Sequence, residues 1–545
     1  MILDAPSLAA LESFGADVCV IGAGPVGIVT ALELSARGAR VLLLESGGRA
    51  ADPAAQALSA HENLRPDNHQ DPAIVVGRRL GGSSNLWGGR CLPYDPVDFA
   101  PRSWPELPAW PVGPGDLAPF AAAACRYLDC GDPVWTEDLP GVSADPAFGW
   151  TALERWSNTP RLQDLHRETL ASRETLLVAL GATVLGFDHE AEGRIAALDL
   201  HLAGSGRVRL PVREVVLCGG GNESARLLLA EQRRRPELFG GAEGPLGRFY
   251  MGHVTGDIAD IVLETEALDA GLDFHVAHGS YVRRRLVPSP ETQEAERLLN
   301  LSFWPVVPRP ADPAHRSGPL SAAFLVMSVG PLGRLLIAEA LRRKVIGEPP
   351  YRRGRHALNL LLDPLRTLVA VPDYLWRSRV SRMRLPGFFL RNPARRYGLE
   401  FHSEQLPMAE SRLTLSEETD RLGLPRLRID LRFDAEDAAS VVRAHDALEA
   451  WLLRNRLGRI EYHGPREARA EAVLAGAHHG AHQVGTIRMG ADRREAVVDG
   501  WCRTFDLANL HVVSTAVLPT SGQANPTFTA VQLGLRLAAR LAPQA

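Results

Sequence analysis

The chain has 545 residues, which is longer than a single hydrophobic core usually supports, so we expect two domains. Its content of 45% hydrophobic and 23% charged residues is ordinary for a globular protein. The formal net charge of −4 argues against the strongly basic surface that binding to a nucleic acid backbone requires. No nucleic acid partner is therefore expected.

The cysteines and the first residues bear on the compartment. Six cysteines are scattered along the chain without C-x-x-C spacing, a usage typical of reduced proteins. Residues 1–18 lack a basic region followed by a long apolar run, so no signal peptide is expected. No stretch is long and apolar enough to span a bilayer. We expect a cytoplasmic protein without membrane contact, although export alongside a partner that carries a signal stays open.

Residues 17–45 carry the clearest local pattern. The apolar run Val18 to Ile21 predicts a buried parallel strand, and G-x-G-x-x-G follows it at Gly22, Gly24 and Gly27. These glycines allow a tight turn, close approach of the backbone to a pyrophosphate and close packing of the following helix. A second strand, residues 41–44, ends in Glu45, which is placed to bind a ribose hydroxyl. The pattern predicts dinucleotide binding and leaves FAD and NAD open.

Further glycine-rich and strand patterns follow. Residues 75–91, VVGRRLGGSSNLWGGRC, favour a loop that covers a cofactor over an ordinary surface loop. A β-like run at 176–184 and a strand–glycine–helix unit beginning at 214–221 belong to the nucleotide-binding part. Strand patterns at 257–263 and 298–306 predict an antiparallel sheet in a second domain.

Residues 331–385 combine many arginines with leucines and few acids. A basic amphipathic segment of this kind can lie on an anionic membrane or bind a partner. It can equally be a helical excursion whose leucines pack on the domain while its arginines face water. We expect the second arrangement, because charged faces are usually just solvated.

Two segments near the C-terminus suit catalysis. Residues 478–490 read HHGAHQVGTIRMG, and residues 518–529 read LPTSGQANPTFT. In the second segment Asn525 can cap a helix and Pro526 suits the first helical position. The N-terminus of such a helix, placed beside a flavin, would stabilise the negative charge of the reduced ring.

The pair H-x-x-G-T-x-R-M-G and N-P-T-x-T resembles the motifs of the glucose–methanol–choline (GMC) flavin oxidoreductases, and the resemblance extends from the first strand to the last helix. Residues 519–527 are most similar to the sugar-oxidising branch with pyranose oxidases and glucoside 3-dehydrogenases. The resemblance implies an α/β fold with a Rossmann-type FAD-binding domain and a second α+β substrate domain on an antiparallel sheet. The FAD-binding domain is expected at 1–255 and 465–545, and the substrate-binding domain at 256–464.

The resemblance places the catalytic histidine at His482 and its partner at Asn525. The chemistry agrees, because imidazole can take the hydroxyl proton as hydride leaves carbon, and an asparagine amide can hold the alkoxide oxygen. The alternatives for His482 are a buried structural histidine or a metal site shared with His478 and His479. Gly480 weakens a helix there and no acid or cysteine ligand is near, so no metal is predicted.

The resemblance also implies a set of FAD contacts. Family members that attach FAD covalently use a histidine directly before the tryptophan of the glycine-rich loop; Leu86 stands there in this chain, so non-covalent FAD is expected. Ser514 stands where many members have an acid. The expected FAD-binding residues are Gly22, Gly24, Pro25, Val26, Gly27, Glu45, Ser46, Arg79, Gly81, Gly82, Ser83, Asn85, Leu86, Trp87, Gly88, Gly89, Val184, Gly219, Gly220, Thr515, Ala516, Asn525, Pro526 and Thr527.

The expected reaction is oxidation of a secondary alcohol of a sugar, glycoside or polyol to a ketone. Substrate is expected beside His482 and Asn525, with Gln405, on a strand predicted at 401–412, as a further contact. The alternatives are an enzyme of non-sugar alcohols, a lyase such as the oxynitrilases of the same family, and a flavin-binding electron-transfer subunit. The electron acceptor, whether oxygen, a quinone or a cytochrome partner, stays open.

Overall fold

The computed structural model describes residues 1–542 apart from positions 108, 141, 143–144, 191–192, 330–350, 378–380, 382, 388 and 479. The largest sheet has six strands, all parallel, and its inner strands consist of buried aliphatic residues, as expected where helices cover both faces. Segments from both ends of the chain share this sheet. Its spatial order is Ile2–Leu3, Leu176–Leu180, Val41–Glu45, Val18–Ile21, Glu214–Leu217 and Leu510–Val512.

Helices surround the sheets. In the described part of the chain the longer ones are α1 Leu8–Phe14, α2 Pro25–Ala36, α3 Ala121–Leu128, α4 Arg167–Ser172, α5 Gly221–Arg234, α6 Glu266–Gly271, α7 Pro290–Ala295, α8 Gly318–Ser328, α9 Arg353–Leu362, α10 Pro364–Leu375, α11 Ala435–Arg454, α12 Arg469–Gly476 and α13 Thr527–Leu541. Single helical turns span Pro53–Gln56, Pro72–Val75, Pro96–Phe99, Pro114–Leu117 and Leu162–Leu165.

The remaining strands form smaller sheets. An antiparallel sheet of four strands contains Leu301–Val306, Arg396–Ser403, Val254–Leu263 and Gly458–Tyr462. A second sheet of four contains His275–Ala277, Ser280–Arg284, Leu153–Trp156 and Arg90–Cys91. Two sheets of three contain Ala182–Glu190, Arg194–Leu202 and Gly206–Pro211, and Arg412–Thr419, Pro425–Asp430 and His61–Asn63. Two short pairs join Val287–Pro288 to Phe148–Gly149 and Arg102–Ser103 to Glu106–Leu107.

Two apolar cores organise these elements. One surrounds the six-stranded sheet, and α2, α5 and α13 contribute to it. The other lies between the first four-stranded sheet and α11, where Trp451 and Leu448 pack with Phe303 and Phe401, all fully buried. The predicted fold class, a Rossmann-type α/β part with an α+β part on an antiparallel sheet, is confirmed.

The predicted domain bounds stay a prediction, and one sheet crosses them. The hairpin of Arg412–Thr419 and Pro425–Asp430, expected in the substrate-binding domain, pairs through its second strand with His61–Asn63. The two parts of the molecule are therefore joined by backbone hydrogen bonds as well as by chain connections.

Two strand predictions were too long. The run at 176–184 breaks at Gly181, whose φ of +69° turns the chain from the central sheet into a different one. The strand expected at 401–412 ends at Ser403, and residues 404–411 form no strand. Apolar patterning alone did not reveal these interruptions.

The expectation for residues 331–385 was wrong where the structure describes them. Seven of the sixteen exposed large hydrophobic side chains of the described chain lie here, so these leucines do not pack on the domain. They are Leu358, Leu361, Leu362, Leu365, Leu368, Val369 and Trp376. None of the described helices combines the length and apolarity needed to cross a bilayer. The six cysteines are buried and free.

The glycine turn after the first strand requires glycine at two positions. Gly22 has a φ of +99°, and a Cβ there would lie 2.7 Å from the carbonyl oxygen of Cys218 on the neighbouring strand. A Cβ on Gly27 would clash with the carbonyl oxygen of Gly22. These contacts hold α2 close against the sheet.

Replacing Gly27 by alanine is expected to destabilise the protein. The added methyl group meets backbone, which cannot rotate away, so the cost should be about 1–3 kcal/mol or more. Thermal unfolding should show a lower Tm. Gly204→Ala is the matched control, because a Cβ there meets no atom within 4 Å. Equal Tm values for the two variants would contradict the prediction.

Candidate active site

A cleft opens at the carboxyl ends of the central parallel strands. Ligands of doubly wound sheets bind at this edge. Gly22, Glu45 and Gly219, which line the cleft, each lie at or just beyond the end of a central strand. The nucleotide-binding pattern of the sequence thus borders a real cavity.

Glu45 is a buried carboxylate at the floor of this cleft. Its Oε2 accepts a hydrogen bond from the backbone N–H of Ala23 at 3.0 Å, and its Oε1 accepts one from Gly47 at 2.8 Å. Burial raises the pKa of Glu45, and the two backbone donors oppose that shift. Each oxygen retains a lone pair, so the carboxylate can accept ribose hydroxyls, as the sequence predicts.

The second glycine-rich loop lies directly on the first. The N–H of Gly81 donates to the carbonyl oxygen of Ala23 at 2.9 Å, and a Cβ on Gly82 would lie 2.7 Å from the Cα of Gly24. A Cβ on Gly24 itself would meet no protein atom within 4 Å. The backbone of Gly24 therefore faces open space, which fits the close approach of a pyrophosphate.

Most of the expected FAD contacts line the cleft. They are Gly22, Gly24, Pro25, Val26, Glu45, Ser46, Gly82, Ser83, Val184, Gly219, Gly220, Thr515, Pro526 and Thr527. The others, which lie outside its lining, are Gly27, Arg79, Gly81, Asn85, Leu86, Trp87, Gly88, Gly89, Ala516 and Asn525.

Arg78 lines the cleft instead of its neighbour Arg79, and the sequence analysis missed it. Its guanidinium donates to Ser46 Oγ at 2.8 Å and forms an ion pair with Glu223 on α5. Two adjacent arginines give no local signal of which one faces the cavity. Burial alone would raise the pKa of Glu223, but Arg78 and Arg226 hold it below its ordinary value.

The C-terminal segment closes the other side of the cleft. Ser514, where many family members have an acid, accepts a hydrogen bond from the N–H of Ala516 and caps the turn Thr515–Val517. α13 begins at Thr527 with Pro526 at the N-cap, and both residues line the cavity. The free N–H groups and dipole of this helix end favour negative charge there.

The expected capping role of Asn525 was wrong, because its amide bonds to His482 instead. The amide Nδ2 lies 2.9 Å from His482 Nε2, so the structure brings the two expected catalytic residues together. Asn525 Oδ1 is buried and has no hydrogen-bond partner in the described part of the chain. An acceptor in this position suits a hydroxyl group of a bound ligand.

Two further histidines, His253 and His402, join His482 in a cluster that the sequence analysis missed. Ring nitrogens of the three residues lie within 4.8 Å of one another. The rings of His253 and His402 stack at 4.1 Å, an arrangement that does not direct both lone pairs at one metal ion. His253 Nδ1 lies 2.9 Å from His482 Nδ1, so we interpret the cluster as hydrogen-bonded.

His478 and His479, which the sequence analysis considered only in an alternative metal site, precede His482 in the chain. His478 is exposed and donates through Nδ1 to the carbonyl oxygen of Asp67 at 2.7 Å, while position 479 lies outside the described residues. A backbone bridge between Met251 and Val484 places His253 beside His482. His253 and His482 become neighbours only when the chain folds, since 229 residues separate them.

Gln405, the expected substrate contact, has a structural position. It is fully buried, its Oε1 accepts from the N–H of Gly252 at 2.7 Å, and its Nε2 donates to the carbonyl oxygen of Arg432 at 2.6 Å. Both ends of the amide are thus used to hold backbone segments together. The geometry does not support a contact between Gln405 and substrate.

Beyond His402 lies an aromatic and charged wall. Trp304 lies 6.1 Å from His402, between ring centroids, and the guanidinium groups of Arg90 and Arg283 lie 4.4 and 4.8 Å from its ring. Glu154, fully buried, pairs with both arginines. Burial alone would raise the pKa of Glu154, but Arg283 and Arg90 hold it below its ordinary value, so this wall keeps its charges near neutral pH.

Comparisons with known proteins agree with this geometry. Residues 407–534 match the family described as GMC oxidoreductase, and residues 17–84 match the family described as FAD dependent oxidoreductase. Paromamine 6'-oxidase of Streptomyces fradiae is 30% identical over 580 residues, covering 96% of this chain and 91% of the relative. The 6'''-hydroxyparomomycin C oxidase of Streptomyces lividus is 25% identical over 553 residues, covering 96% and 91%.

The solved structure of pyridoxine 4-oxidase from Mesorbium loti shares the fold, with a TM-score of 0.55 at 15% identity over 96% of this chain and 99% of that chain. The glycine cradle, the buried Glu45 and the C-terminal helix end fit FAD, the cofactor that the matching families imply. The chain therefore belongs to the GMC oxidoreductases and is an FAD-dependent enzyme.

Proposed function

We propose that the protein oxidises a secondary alcohol of a sugar, glycoside or related polyol to a ketone, with His482 as the base. The observation that carries the proposal is the 2.9 Å contact between His482 Nε2 and Asn525 Nδ2. Asn525 lies just before the N-terminus of α13, whose first residue lines the cleft.

Two relatives that align with 96% of this chain support a sugar-like substrate. Their names describe oxidases of paromamine and of a hydroxyparomomycin, and alignment covers 91% of each. Within the cluster of His253, His402 and His482 only His482 is partly exposed, so it is the member that can meet a substrate hydroxyl, while the other two rings are buried behind it.

In the proposed reaction the hydroxyl O–H and the carbinol C–H bonds break and a C=O bond forms. FAD, when bound, supplies the hydride acceptor. His482 Nε2 takes the hydroxyl proton, a role that the imidazole side chain fills in many enzymes. Asn525 holds the oxygen through its amide N–H, which fixes the carbinol carbon in one orientation.

We propose that FAD is bound without a covalent link. Leu86 occupies the position of the linking histidine of other family members and has no nucleophilic atom. It is 44% exposed and lies outside the lining of the cleft. We further propose the cytoplasm as the compartment, which the six free cysteines support.

One experiment distinguishes the proposed reaction from oxidation of simple alcohols and from an electron-transfer role. A simple alcohol as substrate would bleach the flavin where sugars do not, and an electron-transfer subunit would not respond to any donor. The test is anaerobic titration of the purified yellow protein with a panel of sugars, glycosides and simple alcohols. Admission of air afterwards shows whether oxygen, rather than a quinone or a cytochrome partner, accepts the electrons.

His482→Ala is expected to slow flavin reduction by about 100- to 10,000-fold, because base catalysis contributes that much. Stopped-flow absorbance under anaerobic conditions measures the rate, and the visible spectrum shows that FAD stays bound. His478→Ala is the matched control, since this exposed histidine lies in the same loop. Reduction of the His482 variant at the normal rate would disprove its role.

Acid precipitation is expected to release all flavin into the supernatant, because Leu86 cannot form the covalent link. Absorbance of the supernatant and of the redissolved protein measures the distribution. Yellow colour that stays with the protein would contradict non-covalent binding.

A further inference from the structure

The hydrogen bonds around His253 define which nitrogen of each ring carries a proton. His253 Nε2 lies 3.1 Å from the carbonyl oxygen of Ser521, and a carbonyl oxygen can only accept, so Nε2 carries a proton. Neutral His253 is then an acceptor at Nδ1. The 2.9 Å contact with His482 Nδ1 must therefore be donated by His482.

This assignment determines the state of the proposed base. A neutral His482 with its proton on Nδ1 has its lone pair on Nε2, the nitrogen that faces the Asn525 amide at 2.9 Å. The Asn525 Nδ2–H donates to that lone pair, so both neighbours of His482 favour the same tautomer. Nε2 is the nitrogen that must receive the hydroxyl proton in the proposed reaction, so the substrate hydroxyl has to replace this Asn525 N–H at the lone pair.

We propose that His253 is a positioning residue for His482: it selects the reactive tautomer and stabilises the imidazolium formed during the reaction. The inference rests on the proposed function of His482. The proton from the substrate hydroxyl arrives at His482 Nε2, and the Nδ1 proton stays in the hydrogen bond to His253 Nδ1. No proton needs to leave the cluster in this step.

The ring of His253 is itself held firmly. It is fully buried and stacks on His402, whose Nδ1 donates to the carbonyl oxygen of Gln523 at 2.6 Å. Ser521 and Gln523 belong to the turn that carries Asn525. The Gln523 side chain anchors this turn by donating to Asp95 at 2.6 Å and accepting from Ser302 at 2.8 Å. The base and Asn525 thus share one rigid frame.

The test compares His253→Leu with His253→Asn. Leucine removes the acceptor, whereas the Oδ1 of asparagine can replace His253 Nδ1. His253→Leu should slow flavin reduction at least about 10-fold while substrate affinity changes far less, and asparagine should restore much of the rate. His445→Leu is the matched control, because His445 is an equally buried histidine in the second core.

A double variant separates a role through His482 from general damage. If His253 acts only through the base, His253→Leu should cost little further rate in the His482→Ala background. Equal rates for the leucine variant and the unmodified protein, no recovery with asparagine, or full additivity would overturn the inference. If His482→Ala itself has no effect, the proposed function fails first.

A second, independent observation concerns α9, whose buried face is polar and whose exposed face is apolar. Its buried residues are polar: His356 accepts from Ser321 Oγ at 3.1 Å through Nδ1, and Asn359 donates to the carbonyl oxygen of Pro313 at 3.0 Å. Three of its four leucines face solvent, with Leu361 and Leu362 77% and 74% exposed. The usual amphipathic arrangement is reversed.

α10 continues this apolar face. Leu365, Leu368 and Val369 follow helical i, i+3, i+4 spacing and are 60–77% exposed, and Trp376 directly after the helix is 62% exposed. We call the exposed side chains of Leu358, Leu361, Leu362, Leu365, Leu368, Val369 and Trp376 the leucine face. Seven exposed large apolar side chains between positions 358 and 376 exceed the scattered exposure that is normal for a protein surface, and such groupings mark interaction sites.

The charges within the segment that carries the leucine face indicate the partner, although Glu266, Asp269 and Asp273 line a cavity together with Val369. Residues 351–377 contain five arginines, Arg352, Arg353, Arg355, Arg366 and Arg377, and only two acids, Asp363 and Asp373. A second copy of the chain would bring like charges together. We propose that the leucine face binds an anionic lipid surface, since leucine and tryptophan next to arginine are typical of helices lying in a bilayer interface.

Vesicle sedimentation of the full chain tests this proposal. The protein should sediment with phosphatidylglycerol vesicles, more weakly with phosphatidylcholine, and less at high salt. The double variant Leu361→Glu, Leu365→Glu should lose binding at least about ten-fold. Leu453→Glu, at a 55% exposed leucine on α11, is the matched control.

Three results would overturn the proposal. One is failure to sediment with anionic vesicles, and another is equal binding by the double variant. The third is a concentration-dependent dimer, detected by analytical ultracentrifugation, that the double variant abolishes; this would assign the leucine face to a second copy.

Discussion

The packing of α13 against α2 is the constraint on which the site depends. α2 follows the glycine turn at one side of the cleft, and α13 follows Asn525 and lines the cleft with its first residue. Gly534 of α13 lies so close to Thr30 of α2 that a Cβ there would clash with its hydroxyl. This close contact brings the first and last segments of the chain together at one cofactor.

From that contact the catalytic geometry follows in a few steps. α13 fixes Asn525, and the turn before it offers the carbonyl oxygens of Ser521 and Gln523 to two histidine rings. The bridge between Met251 and Val484 brings the loop of His482 against the same rings. The cleft and the proposed base are therefore joined by a backbone framework, and the wall of Trp304 lies outside it.

The sequence predicted features that neighbouring residues determine. Gly22, Gly27 and Glu45 could be assigned because a strand, a turn and a helix in continuous chain specify them. His482 and Asn525 could be paired only through the family resemblance, and their contact appears in the structure. His253 and His402 gave no signal, since their roles arise from residues far away in the chain. The prediction for Gln405 failed because both ends of its side-chain amide form hydrogen bonds to backbone groups.

The sharing of the central sheet between distant segments also affects how the protein is made. Leu510–Val512 form its last strand, and Ser514, Thr515, Pro526 and Thr527 complete the lining of the cleft. During synthesis the N-terminal segments emerge first and expose half of a nucleotide site without its closing side. The lining of the cleft is complete only after α13 has packed on the central sheet, so the N-terminal segments fold first around an incomplete cofactor site.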